Sequence, residues 1–428
     1  MREAIENREA QAAREVGHTD VSRGVALGLA GAFGLLLLAV LALEVGRDVA
    51  RSGTPWAELR AGLREARLAL GSSPLAANRR LLAGMSAFED ALEDRSAVTG
   101  HALPPVQYLL TEHLRVGNEQ VVLGSRGWLY FRPALDYLTG PGFLDPARLA
   151  RAASAGEGRQ PQPDPLPAIA DFGAQLAEQG IGLVVVVTPV KAALHPEGLE
   201  PALAGADLPL ENPSFGRFLE RLAEMEIPAY APGPRLAEAL RERGWPQFLR
   251  TDTHWTTHAM ENAAEGLAGF LVRHVALAER RPVAYERHQA WVEGSGDLVA
   301  LLKLPRGARP FPAERVLTRP VVGPEGEPWA PDPHADVLLL GDSFTNIYSL
   351  GTLGWGDAAG LAEQLSHVLD RPVDRLVQND EGAFATRAML ARVAMTDPER
   401  LARTRVVVWQ FAARELAFGD WRLIDLVP

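Results

Sequence analysis

Two short segments carry side chains that could do acyl-transfer chemistry. In Thr251-Asp252-Thr253-His254-Trp255-Thr256 a carboxylate and an imidazole stand two positions apart. Residues i and i+2 of an extended segment point to the same side. The Asp252 carboxylate could therefore hold the Nδ1–H of His254 and leave Nε2 free as a general base. In Leu338-Leu339-Leu340-Gly341-Asp342-Ser343-Phe344 a serine follows an apolar run across a Gly-Asp turn. A serine hydroxyl is a poor nucleophile until a base takes its proton. The turn would also present the Ser343 backbone N–H to an oxyanion forming on an acyl carbon. Alone, Gly-Asp-Ser could simply cap a helix, and Asp-x-His could be a turn before one. Together they make a candidate triad in the order Asp, His, Ser, and triads are recognised by role and geometry rather than order.

Further candidates follow strand ends or adjoin the two segments. Asn379, in Val377-Gln378-Asn379, could supply a second oxyanion donor. Thr345, Asn346 and Tyr348 lie just beyond the serine. Lys191, in Thr188-Pro189-Val190-Lys191, and Arg414 could meet an anionic substrate. Trp255 adjoins His254 and could form a platform for sugar rings, whereas Trp128, Trp291, Trp355, Trp409 and Trp421 read as core packing. His258 is a rival base, but it falls on a predicted helix and reads as structural. Asp252, His254 and His258 could make a carboxylate-plus-imidazole metal site. No further ligand cluster accompanies them, so neither a metal nor a cofactor is expected.

These residues need a scaffold, and the pattern around them is an alternation. Near-continuous apolar runs at 181–188, 337–340 and 404–411, with shorter ones at 228–230 and 375–377, read as strands. Helical patterns fall between them at 167–179, 215–225, 236–243, 258–277, 361–369 and 385–394. Strands alternating with helices predict an α/β fold, a parallel sheet flanked by helices. Residues 121–131 predict a β-hairpin that opens the domain. Residues 153–166 and the Pro-rich stretch 305–334 read as excursions over the surface.

The rest of the 428 residues bounds the setting. A formal charge of −11 argues against a nucleic-acid binder, and the absence of cysteine excludes thiolate chemistry and disulfides. Residues 24–43 carry no charge between Arg23 and Glu44, a length that spans a hydrocarbon core as a helix. The context after Ala42 is poor for signal cleavage, so an uncleaved anchor is expected. The expected order is a cytoplasmic tail (1–23), a transmembrane anchor (24–43), a helical stalk (44–115) broken at Gly71-Ser72-Ser73-Pro74 and Pro104-Pro105, and a catalytic domain (116–428) outside the cytoplasmic membrane.

The Asp252-Thr253-His254-Trp255 and Gly341-Asp342-Ser343-Phe344 segments, with Gly124-Ser125-Arg126-Gly127-Trp128-Leu129-Tyr130 ahead of them, resemble the alginate O-acetyltransferase family. Thr188-Pro189-Val190-Lys191 and Gly296-Asp297-Leu298 are supportive. The resemblance covers about residues 116–415 and implies a domain similar to SGNH hydrolases. It implies Ser343 as nucleophile, His254 as base and Asp252 as orienting carboxylate. It further implies an exopolysaccharide substrate and a multispanning membrane acyltransferase as acetyl source. The chain stops soon after the last strand, so it looks more like the membrane-anchored member than the soluble one with a carbohydrate-binding module. An esterase using the same triad, and a non-catalytic assembly scaffold, are the competing expectations. The scaffold requires Asp252, His254 and Ser343 to lie apart.

Overall fold

The computed structural model describes residues 22–51, 55–71, 96–154, 162–379 and 382–426, with part of 74–89. The chain divides into two compact units, residues 1–103 and 104–428. In the first, a helix spans Arg23–Arg51 and another Pro55–Leu70. Among the described residues no helix is long and apolar enough to cross a membrane. The span expected at 24–43 is therefore not supported by the structure. The side chains at 36, 37, 40, 41 and 43–45 lie outside the described residues. All but the last two residues of the expected tail, and residues 72 and 73 of the first stalk break, also lie outside it. The second break is absent: the helix Ala97–His113 contains both Pro104 and Pro105. Each proline removes a helix donor, but its fixed φ is itself helical, so the chain need not turn.

The second unit is built on five parallel strands. Two short strands, β1 (Val121–Leu123) and β2 (Leu129–Phe131), first form the expected antiparallel hairpin. Then come β3 (Gly182–Thr188) and β4 (Ala229–Tyr230). Four short strands follow: β5 (Glu286–Arg287), β6 (Ala290–Gly294), β7 (Glu314–Thr318) and β8 (Val321–Val322). The last three are β9 (Val337–Gly341), β10 (Asp374–Val377) and β11 (Val406–Ala412). The main sheet has the order β10-β9-β11-β3-β4. Its last strand enters the middle, between β9 and β3, and all four pairings are parallel.

Side chains alternate across this sheet, which is why its strands read as unbroken apolar runs. Val185, Val187, Leu338, Leu340, Val407 and Trp409 face one core, filled by the helices Pro165–Glu178, Phe215–Glu224 and Gly382–Thr396. Val184, Val186, Val337, Leu339, Val406 and Val408 face the other, filled by Gly233–Arg243, Thr257–His274 and Leu361–Leu369. The result is a three-layer α/β domain in which all five carboxyl ends point the same way, the edge where such folds place ligands.

The Pro-rich stretch departs from expectation. Residues 305–334 hold β7 and β8, which pair antiparallel with β6 and β5. Phe311, Val321 and Trp329 within it are buried. The prolines flank the strands, where no ladder N–H is required, so a proline-rich composition hid the strands between them.

Candidate active site

Ser343 stands directly beyond the carboxyl end of β9, as the first residue of the short helix Ser343–Asn346. Asp342 fixes that turn. One of its carboxylate oxygens accepts from the Phe344 N–H (2.9 Å) and the other from the Ala412 N–H at the end of β11 (2.8 Å). The Asp342 N–H donates to Gln410 Oε1, which also accepts from the Thr345 hydroxyl. Gln410 Nε2 in turn donates to Thr188 Oγ1 on β3. Three strand ends are thus tied through one buried amide. Gly341 is required because a Cβ there would overlap the Thr345 side chain.

The second segment reaches the serine from the turn preceding the helix Thr257–His274. His254 Nε2 lies 2.8 Å from Ser343 Oγ, and His254 Nδ1 lies 2.6 Å from Asp252 Oδ1. The carboxylate accepts the Nδ1–H, so Nε2 presents its lone pair to the hydroxyl. Asp252 is almost fully buried, and it also accepts from the His254 N–H, the Asp297 N–H (3.0 Å) and the Trp355 indole N–H (2.9 Å). Burial works to raise its pKa, but the charge and hydrogen bonds of His254, with the Asp297 N–H, outweigh it and hold the carboxyl at about 2. Burial works to lower the His254 pKa, and Arg414 acts the same way. Asp252 and Asp297 overcome both, and the net shift is upward. The scaffold expectation required these groups to lie apart, and they lie within hydrogen-bond reach.

A cleft of about 240 Å³ opens on this relay, lined by Asp252, His254, Asp297, Ser343, Asn379 and Arg414 among others. Asn346 donates to Asn379 Oδ1 (3.0 Å), so the NH2 is the end of that amide with no hydrogen-bond acceptor among the described residues. The Arg414 guanidinium lies over the rings of Phe131 and Phe344, 5.4 and 5.9 Å from their centroids. Asn379 and Arg414 both line the cleft.

Three other candidates are corrected. Lys191 follows β3 as expected, but it is buried, and its ammonium donates to the Leu129 and Arg250 carbonyls (2.7 and 3.2 Å). Burial pulls its pKa down to about 8 against the pull of three nearby carboxylates. It braces the hairpin against the segment that carries Asp252, and does not reach the cleft. Trp255 is fully buried, and its indole N–H donates to the Phe344 carbonyl (3.1 Å). Tyr348 is fully buried too, and its hydroxyl donates to the Trp255 carbonyl (2.8 Å).

Three further residues shape the site: Glu314, which the sequence does not single out, Trp355, which reads as core packing, and Asp297, which stands only in a supportive segment with no role given. Trp355 anchors Asp252; its cue is a loop tryptophan between two left-handed glycines, Gly354 and Gly356. Glu314, in the Pro-rich stretch, accepts from the Arg250 and Thr251 N–H groups and the Thr251 hydroxyl. Asp297 accepts from the Thr253 N–H (2.7 Å) and sets a second carboxylate oxygen 3.8 Å from His254 Nδ1. Asp252, His254 and Asp297 together form the one group among the described residues with a cation-ligand arrangement. Both Asp252 oxygens, however, are already taken by N–H donors.

Comparison with known proteins agrees with this architecture. The family model of the SGNH hydrolase-like domain of acetyltransferase AlgX matches residues 121–413. The chain belongs to that family. A probable alginate O-acetylase AlgJ of Pseudomonas syringae pv. tomato is 27% identical over 317 residues, 70% of each chain. The AlgJ of Pseudomonas putida is 28% identical over 252 residues, 56% of this chain and 60% of its own length. Among solved structures, the O-acetyltransferase domain of Pseudomonas putida AlgJ superposes with a TM-score of 0.52 at 24% identity, covering 70% of this chain and 93% of that one. Pseudomonas aeruginosa AlgX gives 0.50 at 18%, covering 71% and 68%. At these identities the structural matches speak to the fold.

Proposed function

We propose that this AlgX-family chain is an O-acetyltransferase that moves acetyl groups to an exopolysaccharide through an acyl-serine intermediate. The observation that carries the reading is the Asp252–His254–Ser343 relay opening on a cleft. In the first half-reaction His254 Nε2 takes the Ser343 proton as Oγ attacks the acetyl carbonyl of the donor. The Ser343 N–H and the Asn379 NH2 face the oxyanion. The intermediate collapses, and the leaving group takes the proton from His254. In the second half a sugar hydroxyl gives its proton to His254 and attacks the acyl carbonyl. Ser343 Oγ leaves and recovers the proton.

The names of the AlgJ relatives point to alginate as the polymer class. The proposed acetyl source is a multispanning membrane acyltransferase, and the proposed setting is a single-pass chain in the cytoplasmic membrane with its catalytic domain outside. The anchor reading rests on the uncharged run 24–43 and on the exposed apolar side chains of the helix Arg23–Arg51, among them Val25, Leu27, Leu29, Phe33, Leu35 and Leu38.

The test is acetyl transfer by the full chain from an activated acetyl ester to an oligosaccharide, with products analysed. Acetylated sugar is expected, and Ser343→Ala should lower the rate by roughly 10³-fold or more. Free acetate as the sole product would favour the esterase reading. A rate indifferent to Ser343→Ala would refute both.

A further inference from the structure

A second concavity lies behind the segment that carries Asp252 and His254. Asp252, Thr253 and His254 line the catalytic cleft, whereas Leu249, Arg250, Thr256 and Thr257 line a separate groove of about 350 Å³. That segment is the wall between the two. The far side of the groove comes from the short antiparallel strands: Trp291 from β6 and Glu314 to Leu317 around β7.

Two features of the groove call for a ligand. The first is its exposed aromatic surface. Trp245 is 44% exposed and Trp291 60%, whereas Trp255, Trp355, Trp409 and Trp421 are buried. Both exposed rings are held in place. Trp245 rests against His258 at 4.7 Å with Arg243 at 5.1 Å, and Trp291 carries Arg315 at 4.5 Å. A tryptophan ring held flat and open to water forgoes the gain from burying its apolar area. The C–H face of a pyranose ring matches such a surface, because the electron-rich ring face attracts C–H edges.

The second feature is charge. The whole chain is acidic, at −11. Yet the groove lining carries Arg250 and Arg315 against Glu314 alone, with Arg243 beside Trp245 and Glu293 opposite Arg315 at the rim, and none of the three arginines forms an ion pair among the described residues. The single acidic lining residue, Glu314, has both carboxylate oxygens engaged by the Arg250 and Thr251 N–H groups. His258 is held towards its neutral form by burial and by Arg319 and Arg243. The groove is therefore a cationic, aromatic strip on an acidic protein.

We propose that this groove is an accessory glycan subsite that holds a stretch of carboxylate-bearing (uronate) polysaccharide, with Trp245 and Trp291 as sugar platforms and Arg315 and Arg250 as carboxylate contacts. It rests on the acetyltransferase reading and deepens it: the groove retains the polymer while the cleft on the other side of the wall works on it. Binding across both sites raises the local concentration of acceptor hydroxyls at Ser343 without any change in the chemistry.

Calorimetric titration of the full-length Ser343→Ala protein separates the two ideas. The probes are a long oligouronate, a diuronate and a neutral β-glucan oligomer. The long oligouronate should bind most tightly. Adding Trp245→Ala and Trp291→Ala together should weaken that binding about tenfold or more. Arg315→Gln should weaken it and flatten its salt dependence. In the Ser343 background, the Trp245 and Trp291 substitutions should leave hydrolysis of a small acetyl ester unchanged, since neither ring lines the cleft. Unchanged affinity in the double variant, or equal affinity for the neutral glucan, would overturn the proposal. Acetyl transfer that survives Ser343→Ala would instead sink the catalytic reading, with the groove still judged by the titration.

Discussion

His254 must be neutral to take a proton from Ser343, and the charges around it set the pH at which it is. Asp252 and Asp297 hold its pKa up; burial and Arg414 pull it down. Activity should therefore fall on the acid side as His254 protonates. Asp297→Asn keeps an acceptor for the Thr253 N–H and removes one negative charge, so the acid limb of kcat/KM should move to lower pH. Arg414→Gln removes a positive charge, and the same limb should move to higher pH. Opposite displacements in the two pH–rate profiles are the expected result; a common direction would mean that another group governs the limb. At this scale the sequence was legible where chemistry is local. Asp252 and His254 stand two apart in one turn, close enough for the Asp252 carboxylate to take both the His254 N–H and its Nδ1–H, and Ser343 follows a strand. The groups that set the relay were not legible, because they arrive from 45 residues away (the Asp297 N–H), 63 (Glu314) and 103 (Trp355). Only the folded path brings them in, and for the same reason Lys191, Trp255 and Tyr348 look like site residues in one dimension and are braces in three.

At the scale of elements, the sheet explains why the serine turn is rigid. Gln410 lies on β11, the strand that enters last in sequence and sits in the centre, and its amide joins β9 to β3. Gln410→Leu keeps the volume and strands the Asp342 N–H and the Thr345 and Thr188 hydroxyls in a buried place. Each unsatisfied group costs about 1–3 kcal/mol. Allowing for partial relaxation, we expect a loss of about 2–4 kcal/mol in denaturant unfolding. A larger drop in kcat than in ester affinity should accompany it, because the turn that aims Ser343 loosens. A variant with unaltered stability would show that the amide is dispensable. The central strands β3, β9 and β11 were legible because a doubly covered parallel strand is apolar at nearly every position, with little alternation to misread. The small strands β5 to β8 were not. They are two to five residues long and half exposed, and β7 and β8 are set among prolines, so composition reads as loop while the pairing of β6 with β7 builds the far side of the groove and supports Glu314.

For the molecule as a whole, the side of the membrane on which residues 104–428 work decides whether the proposed reaction can reach its acceptor. A polymer acetyltransferase is useful only on the side of the membrane where the polymer is. Residues 24–43 contain no charge, and twenty residues rising about 1.5 Å each reach roughly the 30 Å of a hydrocarbon core. The chain contains no cysteine, which makes topology directly readable: any thiol label must come from an introduced site. Arg306 is exposed in the catalytic unit, and Arg306→Cys should react with a membrane-impermeant maleimide in spheroplasts while the chain sediments with membranes. A paired Leu35→Arg and Leu38→Arg change should break this behaviour, since each arginine at the centre of a span costs about 2.5–3.5 kcal/mol on insertion. The doubly substituted chain should leave the membrane fraction and lose its label, yet keep esterase activity after extraction, because the relay among Asp252, His254 and Ser343 lies wholly within residues 104–428. Labelling only after lysis of the parent protein would place the catalytic unit on the cytoplasmic side and leave it without access to an exported polysaccharide.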